Sequence, residues 1–370
     1  VTAARVVVAP DKFKGTLPAD QVAAAIAAGL RRGRPGVEVL ECPVADGGDG
    51  TVAAAVAAGF EFVPARASGP VGEPVDTGYA RRGGTAVIEL AAVSGLAMVS
   101  PPAPLTATTL GVGELMRAAL DAGATRLVLG LGGSSSTDGG TGLLRGLGAR
   151  LPDSAGAELP LGGAALAELA EVGLDALDPR LAGVELLVAS DVDNPLLGPH
   201  GAAAVYGPQK GASAEDVGRL ESALRHLAEV VRATGVDVAE VPGTGAAGGT
   251  GYALAMLGAA FRPGIEVVLE LTGLDGKLPG ADLVITGEGS LDEQTLRGKG
   301  PAGIASAAAE RGIPVVALAG RTTLGTDALS AAGFTAAYAL TDVEPDVRRC
   351  LAEPAPLLER LAEQVARDHL

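Results

Sequence analysis

The chain has 370 residues, a formal net charge of −16 and no tryptophan, too long for one ordinary core, so two domains are expected. Its acidic residues are spread along the chain with no basic stripe and no apolar run of spanning length, which argues against nucleic-acid and membrane partners and for a soluble, cytoplasmic protein. Three histidines (His200, His226, His369) and two isolated cysteines (Cys42, Cys350) offer no zinc-like spacing.

Taken in order, the elements alternate strand and helix. A strand at 5–9 runs into Pro10-Asp11-Lys12-Phe13-Lys14-Gly15, and a helix follows at 18–32. A strand at 37–42 leads into Asp46-Gly47-Gly48-Asp49-Gly50-Thr51 and another helix. Between 60 and 90 short segments rich in Val, Gly and Pro, with a turn at Arg82-Gly83-Gly84, read as antiparallel strands. Then come a helix at 110–122, a strand at 126–131, a helix at 140–151 and a strand at 185–189. A long helix at 214–233 carries Val217, Leu220, Leu224, Leu227 and Val231 at helical spacing. After 282 the alternation resumes with strands at 282–286, 314–319 and 335–340, each followed by a helix. The pattern implies an α/β fold of two domains. A Rossmann-like parallel-sheet domain is built from 1–61 plus 279–370, a mixed α/β domain is inserted at 62–278, and the cleft between them is the expected active site.

The background is poor in lysine and asparagine: five Lys and one Asn, with four Gln. Lys12, Lys14, Lys210, Lys299 and Asn194 all lie in glycine-rich loops near Asp or Glu, where helix N-termini and strand ends favour anions. In Gly132-Gly133-Ser134-Ser135-Ser136-Thr137-Asp138, glycines admit close backbone approach and the hydroxyls add donors, which suits phosphate. Asp138 reads either as a magnesium ligand or as a helix cap. The loop Ser190-Asp191-Val192-Asp193-Asn194-Pro195 has two carboxylates at i and i+2, suited to Mg²⁺ or to one carboxylate acting as base, although an Asx turn looks the same. Lys210, in Gly207-Pro208-Gln209-Lys210-Gly211, is expected to hold a phosphate or carboxylate. Glu288, in Thr286-Gly287-Glu288-Gly289, suits a metal or a ribose hydroxyl, and Asp292 a cap. Lys12, Lys14, Asp46 and Asp49 read as site residues or as ordinary surface pairs. No Walker A pattern is present. Gly243-Thr244-Gly245-Ala246-Ala247-Gly248 matches GxGxxG, but without a convincing preceding strand or a following acidic residue, so it is read as a helix-opening anion loop. An NAD-linked hydroxy-acid dehydrogenase and a solute-binding protein are the rival readings. A nicotinamide assay and substrate-dependent ATP turnover separate them from a kinase.

Together these loops resemble the glycerate kinase family of the bacterial glyoxylate and glucarate pathways. The likeness spans nearly the whole chain in order: Ala9-Pro10-Asp11-Lys12-Phe13-Lys14-Gly15, Ala45-Asp46-Gly47-Gly48-Asp49-Gly50-Thr51, Gly132-Gly133-Ser134 with Asp138-Gly139-Gly140, Asp191 to Leu196, Gly207 to Gly211, and Thr286 to Gly289 with Asp292 and Lys299. One departure is Ser136-Thr137, where a Thr-Asn-like pair is expected. The resemblance implies ATP:D-glycerate 2-phosphotransferase activity. The expected ligands are D-glycerate, ATP and Mg²⁺, and the expected macromolecular partner is at most a second copy in a homodimer. The mechanism expected from it is direct in-line transfer. Asp191 is the first choice as base and Asp46 the second, with Lys12 beside them as a catalytic cation. Asp193, Asp138 and Glu288, with Asp191, are the candidate metal ligands. Backbone amides of Gly132, Gly133, Ser134 and Ser135 are expected to hold phosphate. Lys14, Gly47, Gly48, Asp49, Asn194, Lys210 and Lys299 complete the expected binding residues.

Overall fold

The computed structural model describes residues 3–297 and 300–370. Its strands are β1 (Arg5–Pro10), β2 (Glu38–Glu41), β3 (Glu61–Ser68), β4 (Pro74–Arg82), β5 (Thr85–Glu89), β6 (Arg126–Gly130), β7 (Glu185–Ala189), β8 (Ala260–Arg262), β9 (Leu283–Leu291), β10 (Val315–Thr322) and β11 (Ala336–Ala339). The fold is α/β, with one parallel and one mixed sheet. The chain divides into two compact units. One comprises Val1–Asp46, Ala53–Gly59 and Ile265–Leu370, the other Gly47–Val52 and Phe60–Gly264.

In the first unit the sheet order is β11-β10-β9-β1-β2, with every neighbouring pair parallel. Alternation along the strands splits the core into two layers. Val6, Val8, Leu283 and Ile285 share one layer with Val22, Ile26 and Leu30 of the helix Ala19–Gly33 and with Leu358, Leu361 and Val365 of the helix Pro354–His369. Val7, Ala9, Val284 and Ala317 share the other with Ile304, Ala305 and Ala308 of the helix Gly300–Ala309. With both faces covered, the central strands are continuous apolar runs, as a parallel sheet requires. Counted within the unit the order is 2-1-3-4-5. The sheet therefore reverses direction between β1 and β9, and the carboxyl ends of those two strands are where ligands of doubly wound sheets sit.

The second unit carries a sheet in chain order, β3-β4-β5-β6-β7-β8. The first three strands are antiparallel neighbours and the rest are parallel. The turn expected at Arg82-Gly83-Gly84 closes the β4–β5 hairpin, where Arg82 pairs with Thr85. Ile88, Leu127, Leu129, Leu186 and Val188 pack with Val112, Leu115 and Met116 of the helix Leu110–Asp121.

Two elements differ from the sequence reading. The strand expected to stop at 286 continues to Leu291, because Gly287, Glu288, Ser290 and Leu291 pair with Leu318, Ala319, Arg321 and Thr322 of β10. Glu288 thus lies in a strand rather than in a loop. The helix expected at 140–151 spans only Thr141–Gly146, and at Gly148, with φ 107°, the backbone adopts a conformation no helix tolerates.

Candidate active site

At the switch point of the first unit, β1 and β9 are locked in register. The Asp11 amide donates to the Gly287 carbonyl at 2.8 Å, and the Thr286 hydroxyl donates to the Ala9 carbonyl at 2.9 Å. This delivers Asp11 and Lys12 beside Glu288, while Asp46 arrives from the loop after β2. Asp11 Oδ1 accepts the Lys12 amide at 2.6 Å. Burial pushes the Asp11 carboxyl up to about 7, with the Asp46 and Glu288 charges adding to the rise and Lys12 opposing it. Glu288 Oε1 accepts the Thr295 hydroxyl. Lys14 is exposed. Lys299 lies outside the described residues. Asp292 accepts the Gln294 amide at 2.8 Å through Oδ1, an Asx turn that opens the short 3₁₀ segment Thr295–Arg297.

In the second unit the carboxyl ends of β5, β6 and β7 carry the remaining candidates. Glu89, at the end of β5, accepts the amides of Gly50 at 3.0 Å and Val52 at 3.2 Å. It thereby caps the helix Thr51–Ala57 from a distant strand. Burial pushes Glu89 up to about 7, the two amides pull it down, and the neighbouring Asp49 carboxylate raises it further. Gly48 lies so close to the loop after β6 that a Cβ on Gly132 would meet the Gly48 Cα at 2.6 Å. The glycines of both loops are therefore used for backbone contact.

The loop after β6 is held from within. Asp138, fully buried, accepts from the Thr109 amide at 2.8 Å, the Thr109 hydroxyl at 2.9 Å, the Thr108 hydroxyl at 3.4 Å, and the amides of Gly140 at 3.1 Å and Gly142 at 3.2 Å. Burial pushes its carboxyl above the usual range, and the Thr109, Gly140 and Gly142 donors resist. A carboxylate so enclosed has little capacity left for a cation. Asp138 joins the starts of the helices Leu110–Asp121 and Thr141–Gly146, in keeping with the capping alternative of the sequence reading. Lys210 is likewise turned inward. It is 2% exposed, and its Nζ donates to Ser134 Oγ at 2.8 Å and to the Ser136 carbonyl at 2.5 Å. Burial holds its pKa down to about 7 while Asp138 pulls it up. A lysine expected to grip a ligand directly grips the loop instead.

Asp191 and Asp193 stand exposed at the end of β7, and Asp191 Oδ1 accepts the Gly264 amide at 2.8 Å. Asn194 is committed to its own loop: its amide donates to the His200 carbonyl at 2.8 Å and accepts the Tyr206 hydroxyl at 2.7 Å. These bonds tie the Asp191–Pro195 turn to His200 and Tyr206. The GxGxxG-like segment proves to be packing as well. Ala247, Gly248 and Gly249 are left-handed in succession, and a Cβ on Gly248 would meet the Ser136 carbonyl at 2.0 Å. The Gly245 and Ala246 amides donate to the carbonyls of Asn194 and Gly243, so two of the donors expected there for an anion are engaged within the protein.

Among the described residues no group of three or more His, Cys, Asp or Glu is arranged to hold a metal ion. Magnesium bound with a nucleotide needs only one or two carboxylates, the rest of its shell being phosphate and water. The switch-point carboxylates fit that demand. Burial raises Asp11 and the Asp46 and Glu288 charges add to the rise, and a cation beside them would offset it. Asp11, Glu89, Thr108 and Thr109 escaped the sequence reading as site residues. Only Asp11 carried a signal, its place beside Lys12 at the end of a strand.

The first unit is a doubly wound sheet with carboxylates at its switch point, and the second carries a serine-glycine turn fastened to a buried lysine, both within an α/β fold. The family model described as the glycerate kinase family matches residues 6–370. The chain is 43% identical to the glycerate kinase of Bacillus subtilis (strain 168), over 98% of this chain and 97% of that one. It is 46% identical to the glycerate 2-kinase of Escherichia coli (strain K12), over 86% of each. A crystal structure of a candidate glycerate kinase 2 from Salmonella typhimurium LT2 superposes with a TM-score of 0.85 at 41% identity, covering 99% of this chain and 98% of that one. The chain belongs to the glycerate kinase family and is accordingly an enzyme, a kinase. No helix among the described residues is long and apolar enough to cross a membrane.

Proposed function

We propose that the protein transfers the γ-phosphoryl group of ATP to the 2-hydroxyl of D-glycerate in one in-line step. The observation that carries this reading is the loop after β6. Its glycines and serines follow a parallel strand, and its buried side, fixed by Lys210 and Asp138, leaves Gly133 exposed and Gly132 half-buried. Backbone amides in such a turn suit phosphate oxygens.

Asp191 accepts the proton of the attacking hydroxyl. Its contact with the Gly264 amide fixes the carboxylate, and an exposed carboxylate at a strand end can reach a substrate. Asp46 and Glu288, with Asp11, are the residues that would hold Mg²⁺. When bound, that ion neutralises phosphate charge as the transfer proceeds. Lys12, next to these carboxylates, supplies positive charge for the substrate carboxylate or the transferring group. Asp193 remains a second acceptor in the Asp191 turn.

The test is coupled ADP release with D-glycerate, followed by the fate of the product. Direct consumption by enolase is expected, since 2-phosphoglycerate is enolase's substrate. Consumption only after a mutase is added would place the phosphoryl group on the 3-position and overturn the regiochemistry.

A further inference from the structure

The four hydroxyls from Ser134 to Thr137 look equivalent in sequence, yet their protons are committed differently. Ser135 donates to the Ser94 carbonyl at 2.9 Å, and its amide reaches the same oxygen at 2.8 Å. Ser94 has one hydroxyl proton, and the Thr108 carbonyl, 2.8 Å away, can only accept it. The 3.3 Å contact between Ser94 Oγ and Ser136 Oγ therefore takes its proton from Ser136. Thr137 Oγ1 has no partner among the described residues, but Thr137 is 0% exposed and faces the interior.

Ser134 is different. As an ammonium, the form the Asp138 charge favours, Lys210 has donors and no acceptor, so at the 2.8 Å contact it donates and Ser134 Oγ accepts. The proton of Ser134 points elsewhere, no acceptor for it is found among the described residues, and Ser134, 8% exposed, lies next to exposed Gly133.

We propose that Ser134 is the hydroxyl of this run that donates to a phosphoryl oxygen of the nucleotide, and that Lys210 is the positioning residue that turns its proton outward. The proposal rests on the reading of this loop as the phosphate site and adds to it which side chain donates and why. Ser135 and Ser136 serve the loop's shape. The same ammonium also ties down the Ser136 carbonyl, so one buried cation sets both the loop's backbone and the polarity of its outward hydroxyl.

Steady-state kinetics of single and double variants test it. A hydrogen bond to a charged partner is worth about 1.5–3 kcal/mol, or roughly 10- to 100-fold. Ser134→Ala should lower kcat/KM for ATP by that factor, leave the KM for glycerate within about twofold, and be rescued by Ser134→Thr. Ser135→Ala should cost melting temperature and affect ATP kinetics less than Ser134→Ala does. Lys210→Met, which also frees the Ser136 carbonyl, should lose at least as much as Ser134→Ala, and adding Ser134→Ala to it should cost well under the product of the two single losses, because the Lys210–Ser134 hydrogen bond is shared. Should Lys210→Met fail to fold, the Ser134→Ala and Ser134→Thr pair decides alone. Parent-like ATP kinetics in Ser134→Ala, or losses in the double variant that multiply, overturn the proposal. Hydrogen exchange of the loop amides with a non-hydrolysable ATP analogue separates the two levels. Protection together with a neutral Ser134→Ala sinks only the assignment of the donor. Absence of protection sinks the phosphate-site reading and the proposal with it.

Discussion

At the carboxyl ends of β1 and β9 the protein gathers carboxylates: burial pushes Asp11 up to about 7, with the Asp46 and Glu288 charges adding to the rise. At the carboxyl end of β6 it does the reverse, surrounding Asp138 with hydroxyl and amide donors and driving a lysine into the interior until the loop's inward polar groups are nearly all engaged. The first region is the one we propose to hold a cation. The second is complete as a scaffold and offers its remaining donors outward. A binding region can thus announce itself by electrostatic surplus or by the rigidity of what lies beneath it, and substitutions should separate the two kinds.

The largest effect is expected at the proposed base. Asp191→Asn keeps the turn before Pro195 and removes the proton acceptor, so kcat should fall about a hundred- to ten-thousand-fold with folding and the Mg²⁺ requirement unchanged. Turnover within a few-fold of the parent would remove Asp191 from the chemistry and promote Asp46. Next comes Asp138→Ala, which leaves the donors of Thr108, Thr109, Gly140 and Gly142 facing no acceptor. By analogy with breaking a buried charged network, unfolding free energy should drop by about 3–5 kcal/mol, read by chemical denaturation. If the loss appears only in activity and only at low magnesium, Asp138 is a ligand after all. Gly248→Ala forces a methyl toward the Ser136 carbonyl from a left-handed backbone, for a cost of about 1–3 kcal/mol.

The smallest expected effect is on the pH dependence of stability. Asp11 and Glu89 are raised to about 7 from ordinary carboxylate values. Between about pH 4 and pH 7 the folded chain therefore binds more protons at these groups than the unfolded chain does, and stability falls as pH rises through that window. Lys210, lowered to about 7, acts in the other direction: above pH 7 the unfolded chain holds the extra proton, and stability recovers as pH rises toward the ordinary lysine value. Melting temperature against pH should dip near neutrality, and Asp11→Asn should make the acid side shallower. A melting temperature that climbs steadily from pH 4 to 7 would contradict these assignments.

Much of the fold is legible because apolar runs and glycine-rich loops alternate with little interruption. The βα rhythm of 5–57 and 282–369 and the hairpin at Gly83-Gly84 follow from local pattern alone. The extension of β9 to Leu291 was hidden because Thr-Gly-Glu-Gly reads as a turn until β10 lies beside it. At the candidate site, the types and positions of the loops were readable but the directions of the side chains were not. Lys210 stood out by rarity, yet nothing local says whether an ammonium points at solvent or at Ser134, 76 residues away in sequence. Asp138 looked like a ligand because its Thr109 donors lie 29 residues upstream in an unremarkable Pro- and Thr-rich stretch. Glu89 ends an antiparallel segment and belongs to no loop motif, so its cap on the helix at Thr51 was invisible. Hydroxyl runs and charge pairs reveal where chemistry can occur. Which members stay available is decided by contacts made across the fold.

The central claim, that the switch-point carboxylates of β1 and β9 require a cation whereas the β6 loop is self-sufficient, is tested most directly by magnesium titration of turnover. The assay is run at saturating ATP and glycerate in the parent, Glu288→Gln and Ser134→Ala. Glu288→Gln should raise the magnesium concentration needed for half-maximal rate by an order of magnitude or more, on the scale of about 1.4 kcal/mol per factor of ten, while Ser134→Ala should leave it where it is in the parent. Equal magnesium curves for Glu288→Gln and the parent, or a shift confined to Ser134→Ala, would contradict the account.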